Sequence, residues 1–440
     1  MAEASGFPHA LRGAALTFIG DPAEIGPAAL RYESDAVVAL ADGRITHFGA
    51  ASQVLPDLAP GTPVRAVGPD RLILPGFIDC HVHYPQTQIV GAHGEQLIDW
   101  LQKYTFIAEQ QFASAEHARS VARVFLDECL RVGTTSAAVY CTVHPQSVDA
   151  FFEESHARNL RMIAGKVLMD RHAPPALTDT PRRGYDESKA LIARWHGRGR
   201  QLYAVTPRFA ASSSPEQMEM TGNLWAEHPG TYLQSHVSEN RDEVAWIREL
   251  YPGRGGYLDV YDHYRQLGPR AIYGHGIWLD EAELRRLHDS GTALAHCPTS
   301  NQFLGSGLLR VSSVRRRERP VRLGLASDVG AGTTLSMLQT MNAACTTAQL
   351  LGDRLSAPEA LYLATRGAAR ALYLEDTIGS LAPGLEADLL VLDLKSTPLI
   401  EFRMRHCASL EEALFVQMTL ADDRAIESVY VAGALAHQRR

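Results

Sequence analysis

Two histidines one residue apart, His81 and His83, stand at the end of the run LILPGFIDCHVH at 72–83, whose apolar and β-branched content reads as a strand. Side chains alternate along a strand with period two, so both imidazoles leave one face, with Asp79 a step below them and Cys80 turned the other way as packing. Two imidazoles on one face are half a metal site. Taken alone, the pair does not separate ligation from coincidence.

The rest of the chain supplies partners of the right kind. His236 lies in TYLQSHV at 231–237, His275 in AIYGHGIWL at 271–279, and Asp328 near the end of RLGLASDVG at 322–330. Imidazole and carboxylate donors suit a zinc ion that keeps one position open for water. Such an ion lowers the pKa of bound water to about 7, and a neighbouring carboxylate can then move protons. Glu239 follows His236 by three residues, a spacing that on a continuing strand faces away. It reaches the centre only if the chain bends after the strand.

These residues need a frame that brings distant strand ends together. Eight β-rich runs, at 72–83, 134–143, 161–169, 202–210, 231–237, 271–279, 292–298 and 322–330, alternate with helix-compatible segments. That pattern predicts an α/β chain with a (β/α)8 barrel at 74–373, whose active site lies at the C-terminal strand ends. Ser214-Pro215-Glu216-Gln217 reads as a helix start just after the strand that carries Arg208 and Phe209. DAVVALADGRITHFG at 35–49 reads as a hairpin turning at Asp42-Gly43, and ADLLVLDL and IESVYVAGA near the other end are again short β runs. The two ends, 1–73 and 374–440, are expected to join in one small β-sandwich domain.

Composition excludes several classes. A formal net charge of -8 without long blocks of like charge leaves no footprint for nucleic acid or an anionic membrane. The run from Arg315 to Arg319 reads as the solvated end of a helix. Six cysteines without a Cys-x-x-Cys pair, an N-terminal stretch unlike an export signal and no long apolar segment predict a cytoplasmic protein. The zinc deaminases that act on bases in DNA or RNA need a Pro-Cys-x-x-Cys pair, which this chain lacks. Gly330-Ala-Gly332 has neither the lysine of a phosphate loop nor a dinucleotide fingerprint, and lets the backbone turn near the metal. Ser300 and Ser212 to Ser214 lack a nucleophile-elbow pattern and read as caps or loop hydrogen bonds.

LPGFIDCHVHYPQ, SHVSEN, YGHGIWL, HCPTSN and ASDVGAGTT together resemble the amidohydrolase superfamily. HVHYPQ, VGAHGEQLIDWL, TVHPQSVDA, TPRFA and CPTSNQFLGSGL narrow the resemblance to its guanine deaminase family, over essentially the whole chain. The resemblance implies one zinc per subunit, or another divalent ion such as Fe2+, held by His81, His83, His236 and Asp328. It makes His275 a hydrogen-bond partner of the attacking oxygen, Glu239 the proton shuttle and Asp328 its assistant. Gln86, Arg208 and Phe209 match the base-recognition positions, with Trp100 either a further pocket wall or a packed helix aromatic. Hydrolysis of guanine to xanthine and ammonia is the implied reaction; another aminated heterocycle, such as 8-oxoguanine, cytosine or a triazine, is the alternative substrate. A homodimer is implied in the same way. Lys166 stands where two-metal relatives keep a modified lysine, and is expected to be structural here.

Overall fold

The computed structural model describes residues 9–94 and 96–439; the first eight residues, part of the stretch read for an export signal, lie outside them. Each of the eight expected runs contains a strand. Phe77–His83, Thr134–Tyr140, Arg161–Gly165, Leu202–Pro207, Tyr232–Val237, Ala271–His275, Ala293–His296 and Leu323–Leu325 pair in that order, all parallel. Their near-continuous apolar character fits strands covered on both faces, as helix-flanked parallel sheets require. Beyond the ends of the strands, the ring is sewn shut by two hydrogen bonds. Asp328 N–H donates to the His81 carbonyl and His83 N–H to the Val329 carbonyl, each at 2.9 Å.

Inside the ring, one apolar cluster draws on every strand or the residue just past it, with Cys80, Ala138, Ile163, Ala204, Tyr232 and Ile272 among its members. Residues so distributed can meet only in the lumen. Ala368, Ala369 and Leu372 close the floor, where the Tyr232 hydroxyl donates to the Leu372 carbonyl at 2.7 Å. Cys80 is packing, as expected, but not by simple alternation. Ile78 and Cys80 both enter the lumen, Cys80 against Ala368, and the pairing register shifts between Asp79 and Val82, so that His81 and His83 face inward as well.

The continuous run at 72–83 is two strands. Arg71–Pro75 pairs with Leu389–Asp393 in the terminal sheet, and the barrel begins two residues later at Phe77. Gly76 makes the crossing, where a Cβ would run into Thr135. Strands from both ends form one continuous eight-stranded sheet, which curls far enough for Arg44 to bridge to Glu386. Leu11, Val38, Ile45, Ile73, Val391 and Tyr430 fill it. Two hairpins use paired left-handed residues, Asp42 and Gly43 (φ 50° and 77°) and Ala432 and Gly433 (φ 45° and 77°), as the right-handed strand twist favours.

The Ser214 hydroxyl caps the helix Pro215–Glu227 by accepting from the Gln217 N–H at 3.2 Å, while the Gln217 side chain makes no return bond. The arginine run departs from the solvated reading. Arg315 pairs with Asp21, and the almost fully buried Arg319 pairs with Glu281, so only Arg316, Arg317 and Glu318 stay at the surface. All six cysteines are free, and no helix among the described residues is long and apolar enough to cross a membrane.

Sheet and barrel are joined by charge as well as by chain. Arg161 and Arg200, at the starts of the third and fourth barrel strands, both donate to Glu386, and Arg200 also reaches Asp388. Burial alone would raise the Glu386 carboxyl, but the hydrogen bond from Arg161 and the charge of Arg200 outweigh it and hold it low. A depressed carboxylate contributes its full stabilisation above the unfolded value of about 4.3 and loses it as pH falls through the folded value. Thermal melting should therefore drop as pH falls from about 4.3 through the lower folded value, with a smaller drop in Glu386→Gln. Replacement by Ala strands Arg161, leaves Arg200 to Asp388 alone and is expected to cost about 3 kcal/mol. Equal acid sensitivity in wild type and Glu386→Gln would remove this contact from the account.

Candidate active site

The mouth of the barrel gathers the expected residues. His81 and His83 end the first strand, His236 lies one residue before the end of the fifth, His275 ends the sixth, and Asp328 lies three residues past the eighth. Donor atoms of His81, His236, His275 and Asp328 all lie within 4.8 Å of one another. His83 joins them through Nε2, 3.1 Å from His236 Nε2 and 3.5 Å from Asp328 Oδ1. Tyr140, unremarked in the sequence, lays its ring 4.4–4.9 Å from those of His81, His83 and His236 as a common wall.

Backbone geometry makes the convergence possible. Ser238, His275 and Asp328 adopt left-handed conformations, with φ of 50°, 72° and 49°. Non-glycine residues pay roughly 1–2 kcal/mol for this conformation, so surrounding contacts must hold them there. The turn at Ser238 is the bend that the spacing of Glu239 requires. Beyond it, Glu243 accepts from the backbone N–H groups of Glu239 and Asn240 at 2.9 and 3.2 Å and caps the helix Arg241–Leu250. Gly332 and Gly330 press against Ser327 and Gln86, so a Cβ at either would collide with backbone. The glycines of DVGAGTT thus serve close approach.

The donors have the chemistry of a cation site. His236 Nδ1 meets the Arg208 carbonyl at 2.6 Å and His275 Nδ1 meets Asn301 Oδ1 at 2.9 Å, which turns each Nε2 towards the centre. Among the described residues His81 Nε2 and His275 Nε2 are buried without a hydrogen-bond partner, His81 Nε2 lying 3.3 Å from Asp328 Oδ1. Burial, joined by the neighbouring histidines, pushes His83 and His236 well below the ordinary imidazole range and lowers His81 as well. Burial would raise Asp328, but the surrounding histidines outweigh it and hold the carboxyl at about 2. Neutral imidazoles with bare lone pairs around an ionised carboxylate fit a divalent metal ion.

Two groups differ from that set. Burial disfavours the charged form of His275, but Glu239 and Asp328, 3.4 and 3.7 Å from its Nε2, more than compensate. Burial drives the Glu239 carboxyl up to about 7, and Ser306 Oγ lies 3.2 Å from its Oε1. Asp79, also raised by burial to about 7, braces the seam beneath by accepting from the Ser327 and His81 N–H groups. Lys166 takes no part in the cluster. It is wholly buried in ion pairs with Asp179 and Glu187. His296, at the end of the seventh strand, is buried and held neutral by desolvation, at about 3.

A cavity of ≈ 440 Å³, its opening included, begins at these donors. Gln86, Arg208 and Phe209 line it with Trp100, Leu97, Leu304 and Ala331, while His83, His236, Glu239, His275 and Asp328 occupy the deep side. Trp100 satisfies both of its readings, since it is packed between Tyr104 and Phe303 and also forms cavity wall. Sequence reading missed Asn301, Ser306 and Glu109. The first two sit in CPTSNQFLGSGL, where the motif pointed; Glu109, in a helix outside every motif, gave no signal.

Residues 72–436 match the amidohydrolase family. The chain is 47% identical over 424 residues to the guanine deaminase of Escherichia coli K12, covering 96% of this chain and 95% of that protein. The structure of an E. coli guanine deaminase superposes with a TM-score of 0.95, covering 98% of this chain and all of that one. The Bradyrhizobium japonicum guanine deaminase, 34% identical, gives 0.96 over 99% of this chain and 100% of its own. The enzyme from C. acetobutylicum, solved with guanine in its active site, is 26% identical and gives 0.86 over 97% and 99%.

Metal content is the direct check on the donor set. Protein stripped by a chelator and resupplied with Zn2+ is expected to bind one equivalent and to melt later, by about 4 kcal/mol of added stability at a thousandfold excess over Kd. His83→Ala or Asp328→Ala should abolish that gain. Two tightly bound equivalents in the wild type would contradict a single centre.

Proposed function

This chain belongs to the amidohydrolase family and, within it, to the guanine deaminases; we infer from that premise that its cavity converts guanine and water to xanthine and ammonia. The observation that carries the reading is the meeting of three features in one cavity: the cation donors, a desolvated carboxyl at Glu239, and a wall built from Gln86, Arg208 and Phe209.

His81, His83, His236 and Asp328 hold the cation, and Zn2+ suits their imidazole-rich set. When bound, it lowers the pKa of a coordinated water and so makes a nucleophile available at neutral pH. The residues of the chain do the remainder. Arg208 donates to the ring carbonyl, the Gln86 amide meets the ring edge, and Phe209 packs against its face. The amine-bearing carbon is thereby turned to the deep side.

Glu239 and His275 work on that carbon from one side. The oxygen of water bonds to C2, the C2–N bond to the exocyclic amine breaks, and two protons must be rehoused. Glu239 takes them in turn, passing one to a ring nitrogen and one to the departing amine, which leaves as ammonia. Ser306 steadies Glu239 Oε1, while Oε2 faces His275 at 3.4 Å. His275, braced at Nδ1 by Asn301, directs its other nitrogen at the oxygen that attacks.

Conversion of guanine to xanthine, followed by ultraviolet absorbance and by ammonia release, is expected of the metal-replete protein. Glu239→Gln should lower kcat by about 10²–10⁴-fold while retaining the metal. Full metal occupancy with no turnover of guanine would overturn the assignment, and unchanged turnover in Glu239→Gln would remove that residue from the chemistry.

A further inference from the structure

Beneath the base-recognition wall lies a carboxylate that the reaction as described does not use. Glu109, on the short helix Phe106–Gln110, is fully buried. Its two oxygens accept from Arg208 Nη1 at 3.0 and 2.7 Å, and Oε1 also accepts from Gln86 Nε2 at 3.1 Å. The same Gln86 side chain accepts at Oε1 from the Gly330 N–H at 3.2 Å. Three segments remote in sequence, the turn after the first strand, the Phe106–Gln110 helix and the end of the fourth strand, are thus tied by one carboxylate.

The consequences follow from the chemistry of each group. Arg208 is almost wholly buried, and a lone buried guanidinium is costly unless paired. Pairing through Nη1 alone satisfies the charge yet leaves Nη2 of a planar fork without an acceptor among the described residues. Gln86 has two possible amide orientations. The Glu109 acceptor at one end and the Gly330 donor at the other select one of them. Arg208 and Gln86 therefore form one rigid unit whose free donors point the same way for every substrate molecule.

We propose that Glu109 is a positioning residue for base recognition, which locks Arg208 and Gln86 as a clamp for the carbonyl edge of a 6-oxopurine and so sets the preference for that edge. The proposal rests on the reading of the cavity as a guanine site. Glu109 lies below the wall and acts through the two residues it holds. Its removal should harm recognition far more than bond-breaking.

The test compares the wild type with Glu109→Gln, which keeps the shape and loses the charge, and Glu109→Asp, which keeps the charge at shorter reach. Each protein is assayed for metal content, melting temperature, kcat and KM for guanine. Inhibition constants are measured for hypoxanthine, which carries the 6-oxo group, and for unsubstituted purine, which does not. Glu109→Gln is expected to raise the guanine KM by about 10- to 100-fold, the worth of a charge-assisted hydrogen bond, with kcat within about threefold. Discrimination between hypoxanthine and purine should fall towards unity. Glu109→Asp should recover part of it and provides the same comparison if the Gln variant folds poorly.

Equal weakening of both inhibitors, with their ratio preserved, would mean a merely structural role and overturn the proposal. So would an unchanged KM or a loss confined to kcat. A wild type that does not turn over guanine sinks the reading of the site instead, while the ratio of hypoxanthine to purine dissociation constants, measured by calorimetry in wild type and Glu109→Gln, still reports on the clamp.

Discussion

Four imidazoles crowd one buried carboxylate at the mouth of this barrel, with at least two ring nitrogens left without a hydrogen-bond partner among the described residues. Leaving a buried polar atom unmatched costs about 1–3 kcal/mol, and folding tolerates it only where the surroundings fix the geometry. Here the fixing is done by the closure of the barrel itself. The bonds from Asp328 N–H to His81 and from His83 N–H to Val329 are at once the seam of the ring and the backbone of the donor set. A barrel that failed to close would have no centre, and a centre pulled apart would open the barrel.

From that seam the arrangement spreads outward through single residues with two duties. Arg208 orients His236 through its backbone carbonyl and reaches Glu109 through its side chain, so the metal side and the base side of the cavity share one anchor. Gln86, three residues beyond His83, is in turn held by Gly330, two residues beyond Asp328. Displacement of the substrate wall relative to the donors requires strain at both strand ends. Rigidity of this kind suits a reaction whose nucleophile, proton carrier and target carbon must meet within a few tenths of an ångström.

Much of this was legible in the residues. Eight short apolar runs announced the eight parallel strands, and His81, His83, His236, His275 and Asp328 lay close enough to their ends for a barrel to gather them. The bend before Glu239 followed from period-two geometry and is realised at Ser238. What stayed hidden depends on three-dimensional crowding. An unbroken apolar run gives no sign that Gly76 divides it between two sheets, since the reason is Thr135, which lies far along the chain. The bulge between Asp79 and Val82, which lets both Cys80 and the two histidines face inward, likewise leaves no mark in the run. Arg319 looks like any surface arginine until Glu281 arrives beside it, and Glu109 acquires meaning only when Gln86 and Arg208 fold over it.

The terminal sheet has an implication for how such a chain is made. Arg71–Pro75, the strand that leads straight into the barrel, is flanked on one side by Leu389–Asp393 and, through it, by Ile426–Val431. A ribosome delivers residues at about 5–20 per second, so the strand waits some tens of seconds for a neighbour encoded more than three hundred residues later. During that interval the nascent barrel can assemble its middle strands, whose partners are close in sequence, while its first strand stays tethered to an unfinished sheet edge. Unpaired edges of that sort invite association with other chains. The long-range pairing that ties the two ends together therefore makes the late phase of synthesis the period of greatest exposure to chaperones and to misassembly.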